Sequence, residues 1–155
     1  MGLWGSELQL YGNADDIITG QNYSERINGS RGHDTIYGEG GNDILRGGKD
    51  DDLLFGGHGN DSLFGDNNKD FIDGGPGNDQ LTGGLGADLF RLSGGNDVVM
   101  DFNGWEGDRL GISAGLDVQF KPVGQATQVF TNQGSLLLNG VLLGSFDLSN
   151  AITIV

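Results

Sequence analysis

An acidic side chain returns every nine residues along the first two thirds of the chain: Asp16, Glu25, Asp34, Asp43, Asp52, Asp61, Asp70, Asp79, Asp88 and Asp97. Two places after each stands an apolar residue: Ile18, Ile27, Ile36, Leu45, Leu54, Leu63, Ile72, Leu81, Phe90 and Val99. Carboxylates stacked at a short fixed interval repel one another, so this spacing asks for a counter-charge. The donors on offer are hard oxygens: short carboxylates, and the carbonyls that glycine-rich turns leave free. With no thiolate and no imidazole in the pattern, that set suits Ca²⁺ rather than Zn²⁺ or Cu²⁺.

The elements that position these groups follow from the same period. Cut in nines, Gly56–Thr82 reads GGHGNDSLF, GDNNKDFID and GGPGNDQLT. The frame extends back to a block starting at Tyr11 and forward to one starting at Leu92. Six residues such as GGHGND read as a turn, since Gly supplies positive φ and Asn and Asp bridge turns through their side chains. The next three are long enough for one short strand whose middle side chain points inward. Turn, strand, turn and strand make an 18-residue coil. One coil cannot bury its own apolar residue, so the array must fold as a stack. Stacking sets the acids in two files: Asp16, Asp34, Asp52, Asp70 and Asp88 along one edge, and Glu25, Asp43, Asp61, Asp79 and Asp97 along the other.

Bulk properties agree. The 155 residues include 31 Gly, no Cys, and 22 acids against 8 bases, for a net charge of −14. Asp outnumbers Glu 18 to 4, as expected of turns that hold a cation. Such acidity argues against nucleic-acid backbones and favours cations or basic partners. No apolar run approaches membrane-spanning length.

The blocks GGHGNDSLF, GGPGNDQLT and GGLGADLFR follow the pattern GGxGxDxUx. On these motifs the chain resembles the RTX (repeats-in-toxin) calcium-binding family, strongly over Tyr11–Met100 and more loosely beyond. The resemblance implies an all-β fold: a right-handed parallel β-roll of about ten nonapeptide repeats with a β-rich C-terminal cap. It divides the chain into an N-terminal extension (1–10), the roll (11–100) and the cap (101–155), which would include a type I secretion signal. It also implies several Ca²⁺ ions ligated by turn Asp side chains and Gly carbonyls. Carried over, the side-chain ligands are Asp34, Asp43, Asp52, Asp61, Asp70, Asp79 and Asp88, with Asp97 and Asp16 toward the ends. The function implied is a module of a secreted bacterial protein that folds on Ca²⁺ outside the cell and supports secretion, with an upstream domain as partner.

Departures from the pattern qualify individual turns. YGNADD and GQNYSE place Ala14 and Tyr23 where a fourth-position Gly belongs, so the first two turns are expected to bind weakly. GDNNKD relies on Asn68 to adopt the left-handed conformation. Past Val99 the frame breaks, and Asp101 and Asp108 read equally as further ligands or as turn residues. Val118–Val123, Gln128–Thr131, Ser135–Leu143 and Ala151–Val155 read as cap strands.

No catalytic constellation is present: His33 and His58 occupy variable turn places, and HExxH, nucleophile-elbow and Walker patterns are absent. The expectation is a non-enzymatic region. An alternative function is Ca²⁺-dependent binding of an alginate-like polysaccharide through Arg26, Arg46 and Arg91. Ice binding is disfavoured, because the third turn places lack Thr. Finally, Ile17, Tyr37, Leu53, Phe55, Phe71 and Leu89 fall on one outer face. That stripe is expected to be covered by Trp4–Leu10, by the cap, by a partner domain, or by self-association through Leu53, Phe55 and Phe71.

Overall fold

The computed structural model describes residues 8–141 and 151–155. Each apolar eighth place lies within a strand with its side chain turned into the core. The first series is β2 (Ile17–Thr19), β4 (Thr35–Tyr37), β6 (Leu53–Phe55), β8 (Phe71–Asp73) and β10 (Leu89–Arg91). The second is β1 (Leu8–Leu10), β3 (Arg26–Arg31), β5 (Ile44–Lys49), β7 (Ser62–Asn67), β9 (Gln80–Leu85) and β11 (Gly95–Val99). Strands 18 residues apart pair in parallel, Leu54 opposite Ile36 and Ile72, Leu63 opposite Leu45 and Leu81. Two parallel sheets result, wound around one core as a β-roll of about six turns.

All ten eighth-place residues are buried, none more than 1% exposed, and they run as one column from Ile18 to Val99. Fully burying one such side chain contributes about 1.5–3 kcal/mol, but only when coils lie above and below it. Parallel pairing at one register therefore follows from the spacing.

The two sheets are not equal. Strands β3, β5, β7 and β9 run six residues, so on this edge the first three turn residues continue the strand. The expectation of three-residue strands and six-residue turns holds only for the other sheet. The bend is made by positive φ at the second place, occupied by Ser30, Gly48, Asp66 and Gly84. All five non-Gly residues with positive φ stand at second or fourth turn places, Asn68 among them as expected.

The roll does not end at Val99. After the turn through Gly107, β12 (Arg109–Ile112) pairs with β10 and sets Leu110 beside Phe90. β13 (Gln119–Val123), β14 (Ala126–Phe130) and β15 (Gly134–Leu138) form an antiparallel set joined to β11 through β15, and β16 (Ile152–Ile154) pairs with β12. The cap thus prolongs both sheets and buries Val129, Leu136 and Leu138 at the end of the core. The expected cap strands are present with shifted bounds, residues 142–143 lie outside the described set, and β12 was not foreseen.

The apolar outer stripe falls on one face as expected, and the described part of one expected cover, Leu8–Leu10, does not lie on it. β1 joins the edge of the opposite sheet and β16 the far end of this one. Ile17 is 81% exposed and Leu53 43%, while Tyr37, Phe55 and Phe71 shield one another by ring contacts at 5.0 and 5.5 Å. Residues 4–7 of the expected covering segment lie outside the described set.

Candidate calcium site

A turn closes when its backbone N–H groups find acceptors, and here the acids of the next coil supply them. The N–H of each file member donates to the near carboxylate oxygen of the acid one coil on. Asp16 donates to Asp34 Oδ1, Asp34 to Asp52, Asp52 to Asp70 and Asp70 to Asp88. On the other edge Glu25 donates to Asp43, Asp43 to Asp61, Asp61 to Asp79 and Asp79 to Asp97. All eight bonds measure 2.7–3.1 Å.

One oxygen of each carboxylate is therefore structural, and the other is left over. Oδ2 of Asp34, Asp43, Asp52, Asp61, Asp70, Asp79 and Asp88 is buried with no hydrogen-bond partner. Each of these residues is at most 2% exposed. A buried carboxylate oxygen with nothing to accept costs several kcal/mol on the order of magnitude, which no fold bears seven times over without a compensating charge. The glycines mark where that charge belongs. A Cβ built on Gly29, Gly38, Gly56 or Gly65 would collide with both the orphaned Oδ2 and the first-place carbonyl of the next coil. Two hard oxygens converge there, and only Gly leaves them room.

Burial governs the titration of these groups. It raises Asp43, Asp79 and Asp88 to about 6, Asp52 to about 7 and Asp70 to about 8, against hydrogen bonding from the preceding coil, which lowers each. Asp34 and Asp61 rise for the same reason. Without a cation, the ionised site is disfavoured. No three carboxylate or imidazole groups gather among the described residues, so the rest of a shell of about six to eight oxygens must come largely from backbone carbonyls.

The remaining sequence-chosen residues differ. Asp97 is 1% exposed and raised to about 7, first by burial, but its Oδ2 accepts the Ser93 hydroxyl at 3.3 Å. Asp16 is only partly buried, at the open end of its file. Glu25 has both oxygens engaged, by the Gln21 N–H and the Gln9 amide. Asp101 accepts from Gly83 and Gly84, and Asp108 from Asp88 and Asn103. Asp108 takes the next place in the first file after a 20-residue step, a continuation betrayed only by its DRL triplet. A second ladder, absent from the expectations above, runs along the Asp43 edge. Asn60, Asn78 and Asn96 each donate a backbone N–H to the Asn side chain one coil earlier, starting from Asn42. The repeated GND was its visible signal.

Of the arginines considered for polysaccharide, Arg46 pairs with Asp66 at 2.7 Å and Arg91 with Asp73 at 2.8 Å. The three do not share a face: Arg26 and Arg46 stand on one sheet and Arg91 on the other.

The fold and the two carboxylate files define a calcium-binding β-roll. The model of the RTX calcium-binding nonapeptide repeat (4 copies) matches residues 19–54, 40–72 and 64–99. These segments cover more than half of the sequence, and the chain belongs to this family, whose repeats bind Ca²⁺. Among solved structures, the extracellular lipase LipA of Serratia marcescens is similar at 16% identity and a TM-score of 0.47, over 100% of this chain and 41% of that one. The chain thus spans about two fifths of the lipase. The AlgE6R2 subunit of the Azotobacter vinelandii mannuronan C5-epimerase matches at 24% identity and a TM-score of 0.35, over 96% and 92% of the two chains. The AlgE6R3 subunit matches at 24% and 0.32, over 100% and 84%. No curated protein matches the sequence. No helix among the described residues is long and apolar enough to cross a membrane.

Proposed function

We propose that this chain is a calcium-triggered folding module of a secreted bacterial protein, with residues 11–100 as the binding roll and 101–155 as its cap. The ligands in this reading are Asp34, Asp43, Asp52, Asp61, Asp70, Asp79 and Asp88, with Asp97 and Asp16 contributing less. The observation that carries it is the set of seven buried, unpartnered Oδ2 atoms, each beside a glycine that cannot be enlarged. Where Ca²⁺ is scarce the two files repel and the chain stays open, suited to export as a thread. Where Ca²⁺ is plentiful, binding free energy becomes folding free energy. The roll's role is structural, and any catalysis belongs to a linked domain. The test is far-UV circular dichroism of the full chain against Ca²⁺ in the micromolar-to-millimolar range. Cooperative gain of β-signal is expected, with Mg²⁺ a poor substitute because of its octahedral demand. Full β-content in excess EDTA at neutral pH would overturn it.

A second reading concerns assembly. Tyr37, Phe55 and Phe71 form a contacting aromatic row on an outer face that no described residue covers. We infer that two rolls associate through the Leu53, Phe55 and Phe71 face. Sedimentation equilibrium in Ca²⁺ should give a dimer for the native chain and a monomer for Phe55→Ser; a monomeric native chain at high concentration rules this out.

A further inference from the structure

The two edges of the roll close their turns by different means. On the Asp34 edge, β3, β5, β7 and β9 run three residues into the turn, and the sheet ladder goes with them. Ser30 lies opposite Gly48, Arg31 opposite Lys49, and Asp66 opposite Gly84. On the Asp43 edge, β4, β6 and β8 stop after three residues. Among the described residues the turns there carry only the isolated bridges Gly40–His58 and Gly77–Gly95. Sheet pairing thus holds the first half of each Asp34 turn without an ion, and the Asp43 turns have far less of it.

Backbone conformation divides the edges again. Fourth places on the Asp43 edge are Gly41, Gly59, Gly77 and Gly95. A Cβ on any of the last three would collide with the fourth-place carbonyl oxygen of the coil before. This edge therefore holds a regular file of oxygens that only glycine admits. On the Asp34 edge the fourth places include Asp50 and Asn68, both at φ +77°, against +124° and +138° at Gly41 and Gly59. Side chains fit there because the backbone takes another path, and the oxygen file is broken. Four of the five non-Gly residues with positive φ, namely Ser30, Asp50, Asp66 and Asn68, lie on this edge, and Glu39 lies on the other. Each disfavours the closed turn. An excess of three such residues on one edge amounts to roughly tenfold or more in the calcium level that closes it.

Charge does not reverse the order. Apart from the file acids, the Asp34 turns carry Arg31, Lys49 and Lys69 against Asp50, Asp51 and Asp66, which cancel. The Asp43 turns carry Glu39. The Asp43 edge also positions its own backbone, since the Asn42 to Asn96 ladder fixes the N–H beside each file acid. On the Asp34 edge that N–H is held by groups of mixed charge, Asp15, His33 and Asp51.

We propose that the roll takes up calcium in two stages, the Asp43 edge first. Ions at Asp43, Asp61 and Asp79 close the turns that sheet pairing holds least, and so wind the stack. The edge of Asp34, Asp52, Asp70 and Asp88 then fills at about tenfold higher free calcium, on a roll already wound. This order rests on the calcium reading above: one edge switches the fold on, and the other responds to how far the concentration has risen.

The test is a Ca²⁺ titration of the full chain with two readouts, bound ion by equilibrium dialysis with radioactive Ca²⁺ and folding by far-UV circular dichroism. Circular dichroism should reach its plateau while several sites are still empty. The remaining ions should bind at about tenfold higher Ca²⁺ with no further change in the spectrum. Asp43→Asn/Asp61→Asn should raise the circular dichroism midpoint about fivefold or more, or prevent folding. Asp52→Asn/Asp70→Asn should not raise that midpoint and should remove part of the late uptake. Asp50→Gly/Asn68→Gly, which frees the turn without touching a file acid, should draw the late uptake toward the early one. Uptake that coincides with folding in one phase, equal midpoint shifts for the two acid pairs, or an unchanged late phase in the glycine variant would each overturn the order of filling and leave calcium-dependent folding standing. A chain that takes up no ion removes the calcium reading itself, and the order with it.

Discussion

Replacing Asp52 by Asn separates the two jobs of a file carboxylate. Asp52 Oδ1 accepts the Asp34 N–H at 2.8 Å, while Oδ2 is buried and unpartnered. Asn keeps the first acceptor and the shape but removes the charge and one cation donor. In the metal-free fold, burial raises this carboxyl from the ordinary 3.8 to about 7. Its ionisation at neutral pH therefore weakens that fold by at most about 4 kcal/mol. The buried amide of Asn lacks a partner and costs about 1–3 kcal/mol, so in EDTA the variant should be the more stable by about 1–3 kcal/mol. Calcium reverses the sign. An ion held a thousandfold above its dissociation constant contributes about 4 kcal/mol, and losing one leaves a net deficit of about 1–3 kcal/mol. For a chain of this size that lowers the melting midpoint by roughly 2–10 °C. The assay is thermal circular dichroism in 10 mM Ca²⁺ (about a saturating level for such sites), paired with osmolyte-induced folding in EDTA. Destabilisation in both media, or an unchanged midpoint in Ca²⁺, would refute the division of labour between the two oxygens.

Three further outcomes follow from the same geometry. File carboxyls raised to about 6–8 bind protons more tightly folded than unfolded, so the metal-free roll should gain stability as pH falls from about 8 toward 4, and the Ca²⁺ midpoint should rise over that window; osmolyte and Ca²⁺ titrations at pH 8, 6 and 5 check both signs. Gly47→Ala puts a methyl against Asp52 Oδ2 and should lower the melting midpoint in Ca²⁺ by several degrees, whereas Gly12→Ala, with nothing within 4 Å, should leave it unchanged. Phe71→Ser removes a half-buried ring packed on Phe55 and should cost about 1–2 kcal/mol in urea unfolding, against little for Gln80→Ser on the opposite sheet.

The period of nine, the identity of the inward residue and the two acid files were all legible in the sequence, because each depends on position within one repeat. Ile18 to Val99 had to face one core once coils stacked, and parallel pairing 18 residues apart was the only register that put them there. The seven Asp residues picked as ligands are those whose second oxygen is left unpaired, since the same period that aligns them aligns the N–H that takes the first. Relations between repeats and beyond them were decided only in three dimensions. Ser93 reaches Asp97 and the Gly83 and Gly84 N–H groups claim Asp101, which removes acceptors that the sequence offered as free. The lengthening of β3, β5, β7 and β9 is not legible in the sequence, because the second turn place takes positive φ on both edges, at Ser30, Gly48, Asp66 and Gly84 and equally at Glu39, Gly57 and Gly75. Whether Leu8–Leu10 covered the aromatic row or extended the other sheet was decided by backbone pairing: 18 residues before Arg26–Asn28 it falls in register with β3, whose N–H and C=O groups an apolar face cannot match.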